Sequence, residues 1–241
     1  MSQRSIADHY DAFVAGTPLC DLDAKILATV FPGCQNNSEI IADLGCGSGR
    51  STIPLAQNGY QLLAVDLSEP MLNVLAQKSK ELSLSNRIHL VRANLVELDC
   101  FADDSVDHAV CLFSTLGMLQ GAASRLTMLR HVARMVRPGG SFLLHVHNRW
   151  AALREPSGLR YLASSWWRSL RDSDADFGDA TYTYRGLHQM FMHRFSRGEL
   201  ARCLQQSQWQ IETIWPLSID SARVDRKTPI PGGFLVHCLR K

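Results

Sequence analysis

Apolar and polar positions along this chain follow two periods in turn. Glu39-Ile-Ile-Ala-Asp43-Leu44 is a short apolar run that reads as a buried strand, and it enters a glycine-rich turn before a helix starting near Arg50. Gln61-Leu-Leu-Ala-Val65 is a second run of the same kind, closed by Asp66. Ser68 is a fitting cap for the helix that follows, Glu69 and Pro70 suit its first turn, and Met71, Leu72 and Leu75 form its apolar face. Further strands are predicted at 88–91, 106–113 and 141–147, with a helix over 122–136 and a tight turn at Arg137-Pro-Gly-Gly140. A helical segment over 21–31, stopped by Pro32-Gly33, precedes the first strand.

Strands separated by helices, in units of about 20 to 30 residues, predict right-handed crossovers and a parallel sheet covered on both faces. The ending runs differently: a helix at 197–206, a strand at 210–215, a Pro/Gly-rich turn at 229–233 and a strand at 234–239. Two strands joined without a helix imply an antiparallel hairpin at one sheet edge. The expected fold is α/β, doubly wound, with seven strands, mostly parallel and Rossmann-like. Residues 150–195 break the alternation. They hold three of the five Trp and three Tyr, and the five Arg between 149 and 171 are followed by Asp172, Asp174, Asp176 and Asp179. Roughly forty residues are too few to bury a core alone. The segment therefore reads as an insertion over the sheet's active edge, within a single domain over 1–241, in which its Arg run pairs internally with the Asp run or forms a lid. The N-terminal 1–37 is the second expected lid.

Composition narrows the function classes. Of 241 residues 46% are hydrophobic and 20% charged, which excludes disorder over most of the length. The net charge of +2 is no footprint for nucleic acid or an anionic membrane. Seven cysteines without a CxxC pair read as reduced thiols, and neither a disulfide framework nor a zinc cage. No apolar run approaches the roughly 18 residues that span a bilayer, and no secretory h-region opens the chain. The expectation is a cytoplasmic protein without membrane or metal.

The segment richest in chemistry is Asp43-Leu-Gly45-Cys46-Gly47-Ser-Gly49. Glycines between strand and helix let a ligand approach main-chain N–H groups. A dinucleotide fingerprint needs its third Gly where Arg50 stands, and a P-loop needs Gly-Lys-Ser/Thr, which is absent. Asp43 at the turn would repel a pyrophosphate and welcome a sulfonium or ammonium. Asp66, ending the second strand, suits the two hydroxyls of a ribose. A ligand with a ribose, a positive charge and no phosphate is S-adenosylmethionine.

From 39 to 147 the chain resembles the class I S-adenosylmethionine-dependent methyltransferases. The resemblance implies that Asp43, Gly45, Cys46, Gly47 and Gly49 surround the methionine part, and that Asp66 with Leu67 meets the ribose. It places Asn94 and Leu95 at the adenine and Phe113 in the fourth motif, with S-adenosylhomocysteine as product. One departure is visible: the family's usual Gly-Asp-Ala on strand three is Ala93-Asn94-Leu95 here. The Asn carbonyl accepts the same hydrogen bond without charge.

Methyl transfer asks chiefly for in-line alignment in a water-poor pocket, so no triad is expected. Tyr10, before the first strand, and His147 and Asn148, ending the fifth, are the candidates for the acceptor side. His145 and His147 share a strand face but lack a third metal ligand, and His193 reads as structural. A small-molecule acceptor is the expected substrate. The rivals are a tRNA methyltransferase, for which the Arg/Trp segment would be the RNA surface, and a non-catalytic S-adenosylmethionine-binding protein. A dehydrogenase is opposed by Arg50 and Asp43.

Overall fold

The computed structural model describes residues 18–34, 38–184 and 187–241. Helix α1 (Pro18–Val30) precedes β1 (Ile40–Leu44), α2 (Thr52–Gln57), β2 (Gln61–Asp66), α3 (Glu69–Glu81), β3 (Ile88–Arg92), β4 (His108–Cys111), α4 (Ala122–Met135) and β5 (Ser141–His147). After β5 come a short turn of 3-10 helix (Arg149–Arg154), α5 (Gly158–Arg171), the hairpin β6 (Asp179–Tyr184) and β7 (Leu187–His193), then α6 (Arg197–Gln206), β8 (Trp209–Leu217) and β9 (Gly233–Arg240).

Seven strands form one sheet in the order β3-β2-β1-β4-β5-β9-β8. The first five are parallel, and β9 enters antiparallel between β5 and β8. This is the doubly wound sheet with the terminal hairpin expected from the sequence. Both faces are covered, which is why the strands read as continuous apolar runs. On one face Ala42, Leu44, Phe142 and Leu144 pack with Met128 and Leu129 of α4, and Trp209 donates its indole N–H to the Leu129 carbonyl at 3.2 Å. On the other, Ile41, Leu62, Leu143 and Leu235 pack with Leu19, Leu22 and Ile26 of α1 and with Leu72 and Leu75 of α3.

Three elements differ from the sequence reading. Strand β4 is shorter than 106–113, because Val106 makes only an isolated bridge to Val136 while Phe113 and Ser114 turn left-handed (φ 55° and 64°). Helix α2 starts at Thr52, two residues beyond Arg50. The insertion contains a two-stranded sheet that its mixed composition does not announce.

The Arg run and the Asp run also pair differently. Asp176 takes its ion pair from Arg125 of α4 at 2.6 Å, and Arg149 pairs with Glu199 of α6, while Arg168 donates to the Asp179 carbonyl at 2.9 Å. His193 is fully buried between Asp179 (Nδ1, 2.6 Å) and Glu199 (Nε2, 2.8 Å). A neutral imidazole has one N–H, so two carboxylate contacts require one further proton shared by the three groups. With it, that proton and Arg125 and Arg149 balance Asp176, Asp179 and Glu199. Burial pushes the His193 imidazole down, and the hydrogen bond to Asp179 works against that. His193 is thus structural, as its place in the sequence suggested, and the cluster ties the insertion to α4 and α6. The clustered oxygens of Asp176 and Asp179 and the His193 ring are within reach of a common cation, but guanidinium groups already supply the positive charge there.

Candidate functional site

The strand order reverses between β1 and β4, and in such sheets the crevice lies outside the carboxyl ends of the strands at that point. The glycine turn sits there. Gly45, Gly47 and Gly49 have φ of 74°, 53° and 91°, a region that side chains with a Cβ avoid. Space adds to the demand: a Cβ on Gly45 would come within 2.4 Å of Thr115 Cγ2, and one on Gly49 within 2.3 Å of Leu75 Cδ1.

The turn is locked onto the end of β2. The Gly45 and Cys46 N–H groups donate to the Val65 carbonyl at 2.8 and 3.1 Å. Gly47 N–H donates to Asp66 Oδ2, and Ser68 N–H to Asp66 Oδ1, both at 2.8 Å. An ionised carboxylate offers about four acceptor sites, so two remain for a pair of hydroxyls. Beside it, the Leu67 side chain is 64% exposed, an apolar surface suited to one face of a planar ring. These features fit an adenosine: a diol acceptor, an apolar wall and a backbone turn without side chains.

Other expected residues lie in less direct positions. Asp43 is buried, and its Oδ2 accepts the hydroxyls of Ser51 and Thr52 at 2.7 and 2.6 Å. This corrects the picture of a carboxylate waiting at the mouth of the turn, because the side chain anchors the start of α2 beneath it. Burial raises its pKa, with the two hydroxyls and Arg50 acting in the opposite sense. The Cys46 thiol is buried and pushed far up by desolvation and then by the charges of Asp43 and Asp66, which makes it no nucleophile. Asn94 Oδ1 receives the Val96 N–H at 3.3 Å, which leaves one acceptor position on that carbonyl. The Leu95 side chain belongs to the core. Tyr10 lies outside the described residues.

Arg50 has a role that its position after the glycines did not reveal. Its guanidinium pairs with the buried Asp23 of α1 at 3.0 Å and lies 4.7 Å from the centre of the Phe113 ring. Asp23 is pushed up to about 6 by burial, and Arg50 opposes the shift. Helix α1, the glycine turn and the end of β4 are joined through this one side chain. No local signal marks the pair, since its partners are 27 positions apart in sequence.

The ends of β4 and β5 are joined as well. Ser114, buried and left-handed, accepts the His147 N–H on its hydroxyl at 3.1 Å. Two consecutive non-glycine residues at positive φ are a local strain of the kind found at ligand sites. On the face of β5 toward α1, His145 and His147 stack edge to face with ring centres 5.1 Å apart. His145 is fully buried, and among the described residues neither ring nitrogen has a hydrogen-bond partner. Burial lowers both imidazoles, His147 to about 4, so both stay neutral at physiological pH. Asn148 is occupied: its amide donates to the Pro231 carbonyl at 2.7 Å and accepts the Trp150 N–H at 3.2 Å. That geometry makes it a cap for the turn after β5, and it leaves His145, which the sequence marked only as half of a metal pair, as a buried side chain whose ring nitrogens have no hydrogen-bond partner among the described residues. A separate cleft of about 390 Å³ lies at the opposite, amino-terminal edge of the sheet, lined by Asp103, Arg134, Gln208 and Arg240. Arg134 and Arg240 there are already paired with Asp103 and Asp104.

Comparison with known proteins bears on this arrangement. Residues 41–140, the stretch that contains the glycine turn, Asp66 and Phe113, match the family model described as a methyltransferase domain. Over those residues the chain is similar to that methyltransferase domain, and the fold around them is shared with solved S-adenosylmethionine-dependent methyltransferases. Among curated relatives, the cypemycin N-terminal methyltransferase of a Streptomyces species is 28% identical over 146 residues, covering 60% of this chain and 57% of that protein. The chain spans about half the length of the curated relatives it matches. Among solved structures, an S-adenosylmethionine-dependent methyltransferase of Methanosarcina mazei has a TM-score of 0.71 at 19% identity, covering 88% of this chain and 96% of that one. The 1,6-didemethyltoxoflavin-N1-methyltransferase of Burkholderia thailandensis, solved with 1,6-didemethyltoxoflavin and S-adenosylhomocysteine, has a TM-score of 0.65 at 19% identity, covering 98% and 84%. At such identities these structures establish the fold alone.

Proposed function

We propose that this protein is an S-adenosylmethionine-dependent methyltransferase that acts on a small molecule with an N, O or C nucleophile. The observation that carries the reading is the glycine turn fastened to a carboxylate that keeps acceptor capacity for a diol. Bound S-adenosylmethionine supplies a methyl group already activated on a sulfonium. The chain's own work is then positional. Asp66 would hold the ribose, Leu67 and the backbone near Asn94 and Leu95 the adenine, and Gly45 to Gly49 the methionine part. Phe113 and Ser114 would form the floor between the two substrates.

On the acceptor side we assign His145 and His147. Their neutral rings offer a lone pair or an N–H in a buried setting, which suits holding or deprotonating a nucleophile that arrives with its proton. The insertion and the segment before β1 are read as lids over this pocket. Relatives and solved structures whose names state a substrate include methyltransferases of cypemycin at its N-terminus, of glycine, of demethylmenaquinone, of 1,6-didemethyltoxoflavin and of a glycopeptide, which supports a small acceptor. Seven free cysteines suit a reducing compartment, and a cytoplasmic location is part of the proposal. Among the described residues no helix is long and apolar enough to cross a membrane.

The test is methyl transfer from labelled S-adenosylmethionine to a panel of amines, phenols and acidic carbon acids, with total tRNA as a parallel substrate. Label in a small acceptor, reduced at least tenfold in His145→Ala with S-adenosylhomocysteine binding intact, supports the assignment. Label in tRNA alone would move the acceptor to RNA. Cofactor binding with no transfer to any acceptor would favour a non-catalytic binding protein.

A further inference from the structure

Helix α5 is amphipathic in the inverted sense. Its inner face is largely polar or small: Ser165 accepts the Gly178 N–H at 3.1 Å, Tyr161 donates to the Gly178 carbonyl at 3.1 Å, and Arg168 reaches the Asp179 carbonyl. Its outer face carries Leu159, Trp166, Trp167 and Leu170, which are 74%, 51%, 50% and 62% exposed, with Ala163 between them. At 100° per residue these five positions fall within about 100° of arc, a continuous apolar stripe along about three turns. The turn Arg149–Arg154, packed against α5, adds exposed Trp150 and Leu153.

We propose that α5 is an interfacial anchor that seats this protein on an anionic lipid surface. The composition is the one such helices require: Trp and Leu to enter the headgroup boundary, cations beside them and a polar opposite face. The helix bears Arg160, Arg168 and Arg171 and no acidic residue. Arg160 and Arg171 flank the stripe on one side, and the Arg171 guanidinium lies 4.3 Å from the centre of the Trp167 ring. Asp172 and Asp174 begin where the helix ends, and the Asp172 carboxylate is turned to the Asp174 N–H at 2.9 Å. The net charge of the whole chain conceals this arrangement, so the expectation of no membrane contact drawn from it is revised for this one helix.

Two other occupants fit less well. A second copy would bury a stripe of on the order of 500 Å², taking about 150–250 Å² per large side chain and the exposures above, where a stable dimer needs about 800 Å² on each partner. Single-stranded RNA needs successive aromatic platforms in a basic groove, and Leu159, Ala163 and Leu170 give bases nothing to stack on. A lipid surface asks only for a convex apolar ridge with cations at its rim.

The experiment is vesicle co-sedimentation of the full chain with phosphatidylcholine alone and with phosphatidylcholine–phosphatidylglycerol mixtures. Binding to the mixed vesicles is expected to be roughly tenfold tighter or more, since each uncompensated rim cation contributes about fivefold near an anionic surface. The variant Trp166→Ser/Trp167→Ser/Leu170→Ser should stay in the supernatant while its melting temperature and S-adenosylhomocysteine affinity match the parent. Arg160→Gln/Arg171→Gln should lose the preference for anionic vesicles. Absence of pelleting with every vesicle overturns the proposal. So does a dimer in sedimentation velocity, or tRNA binding, that the triple variant abolishes without any vesicle binding by the parent. The cofactor readout is independent, so failure here leaves the methyl-transfer reading untouched.

Discussion

Replacing Asp66 by Ala tests the cofactor side of the site. The carboxylate makes two bonds inside the protein, to Gly47 N–H and Ser68 N–H at 2.8 Å each. It has acceptor capacity for two more, to the ribose hydroxyls. Hydrogen bonds to a charged group contribute about 1.5–3 kcal/mol each, so losing both ribose contacts weakens binding by about 3 kcal/mol or more, at least roughly a hundredfold in Kd. The protein itself suffers less, because the freed N–H groups are partly buried. Leaving one unsatisfied costs about 1–3 kcal/mol, and for a chain of this size each kcal/mol lowers Tm by about 2–4 °C. Asp66→Asn is no milder, because its amide nitrogen would face one of two N–H donors. Isothermal titration with S-adenosylhomocysteine reads the affinity and a melting curve reads the fold. The reasoning is refuted if Asp66→Ala binds within threefold of the parent while folded, since the carboxylate would then serve only the turn.

Gly49→Ala should lower Tm by 4 °C or more, because a left-handed Cβ strain of about 1–2 kcal/mol adds to overpacking of about 1–3 kcal/mol against the buried Leu75. Gly139→Ala, at φ +79° with nothing within 4 Å, carries the backbone strain alone and is the control. His147, held near 4 by burial, is neutral in the fold but protonates near 6.5 when unfolded. The unfolded state therefore binds more protons between these values, and stability falls as pH drops from 6.5 toward 4, by about 3 kcal/mol for this residue. Melting temperatures of His147→Gln should depend less on pH in that window than those of the parent, and parallel curves would contradict the assignment. Arg125→Met takes the buried guanidinium away from the partly exposed Asp176 carboxylate, the loss of a charged hydrogen-bond partner worth about 1.5–3 kcal/mol. A Tm within 2 °C of the parent would mean that the cluster does not hold the insertion.

The doubly wound sheet was legible in the sequence because burial on both faces leaves a local trace, an apolar run closed by Asp or Gly. The glycine turn and Asp66 were legible for a related reason, since positive φ and a strand-end carboxylate are local demands written in residue type. Pairings between distant segments left no such trace. Nothing near Arg50 announces Asp23 of α1, and nothing in the Asp run shows that Asp176 answers to Arg125 of α4. Asp43 looked like a ligand group until the fold turned Ser51 and Thr52 onto it. His145 and Asn148 exchange importance for the same reason. Which of two neighbouring polar side chains is satisfied depends on what the tertiary structure brings to it, here the Pro231 carbonyl for Asn148. The stripe on α5 is present in the sequence as a periodicity, but periodicity alone does not tell an apolar face that is buried from one that is left outside. Only packing decides that, through the polar bonds that turn Ser165 and Tyr161 inward and leave Trp166 and Leu170 in water.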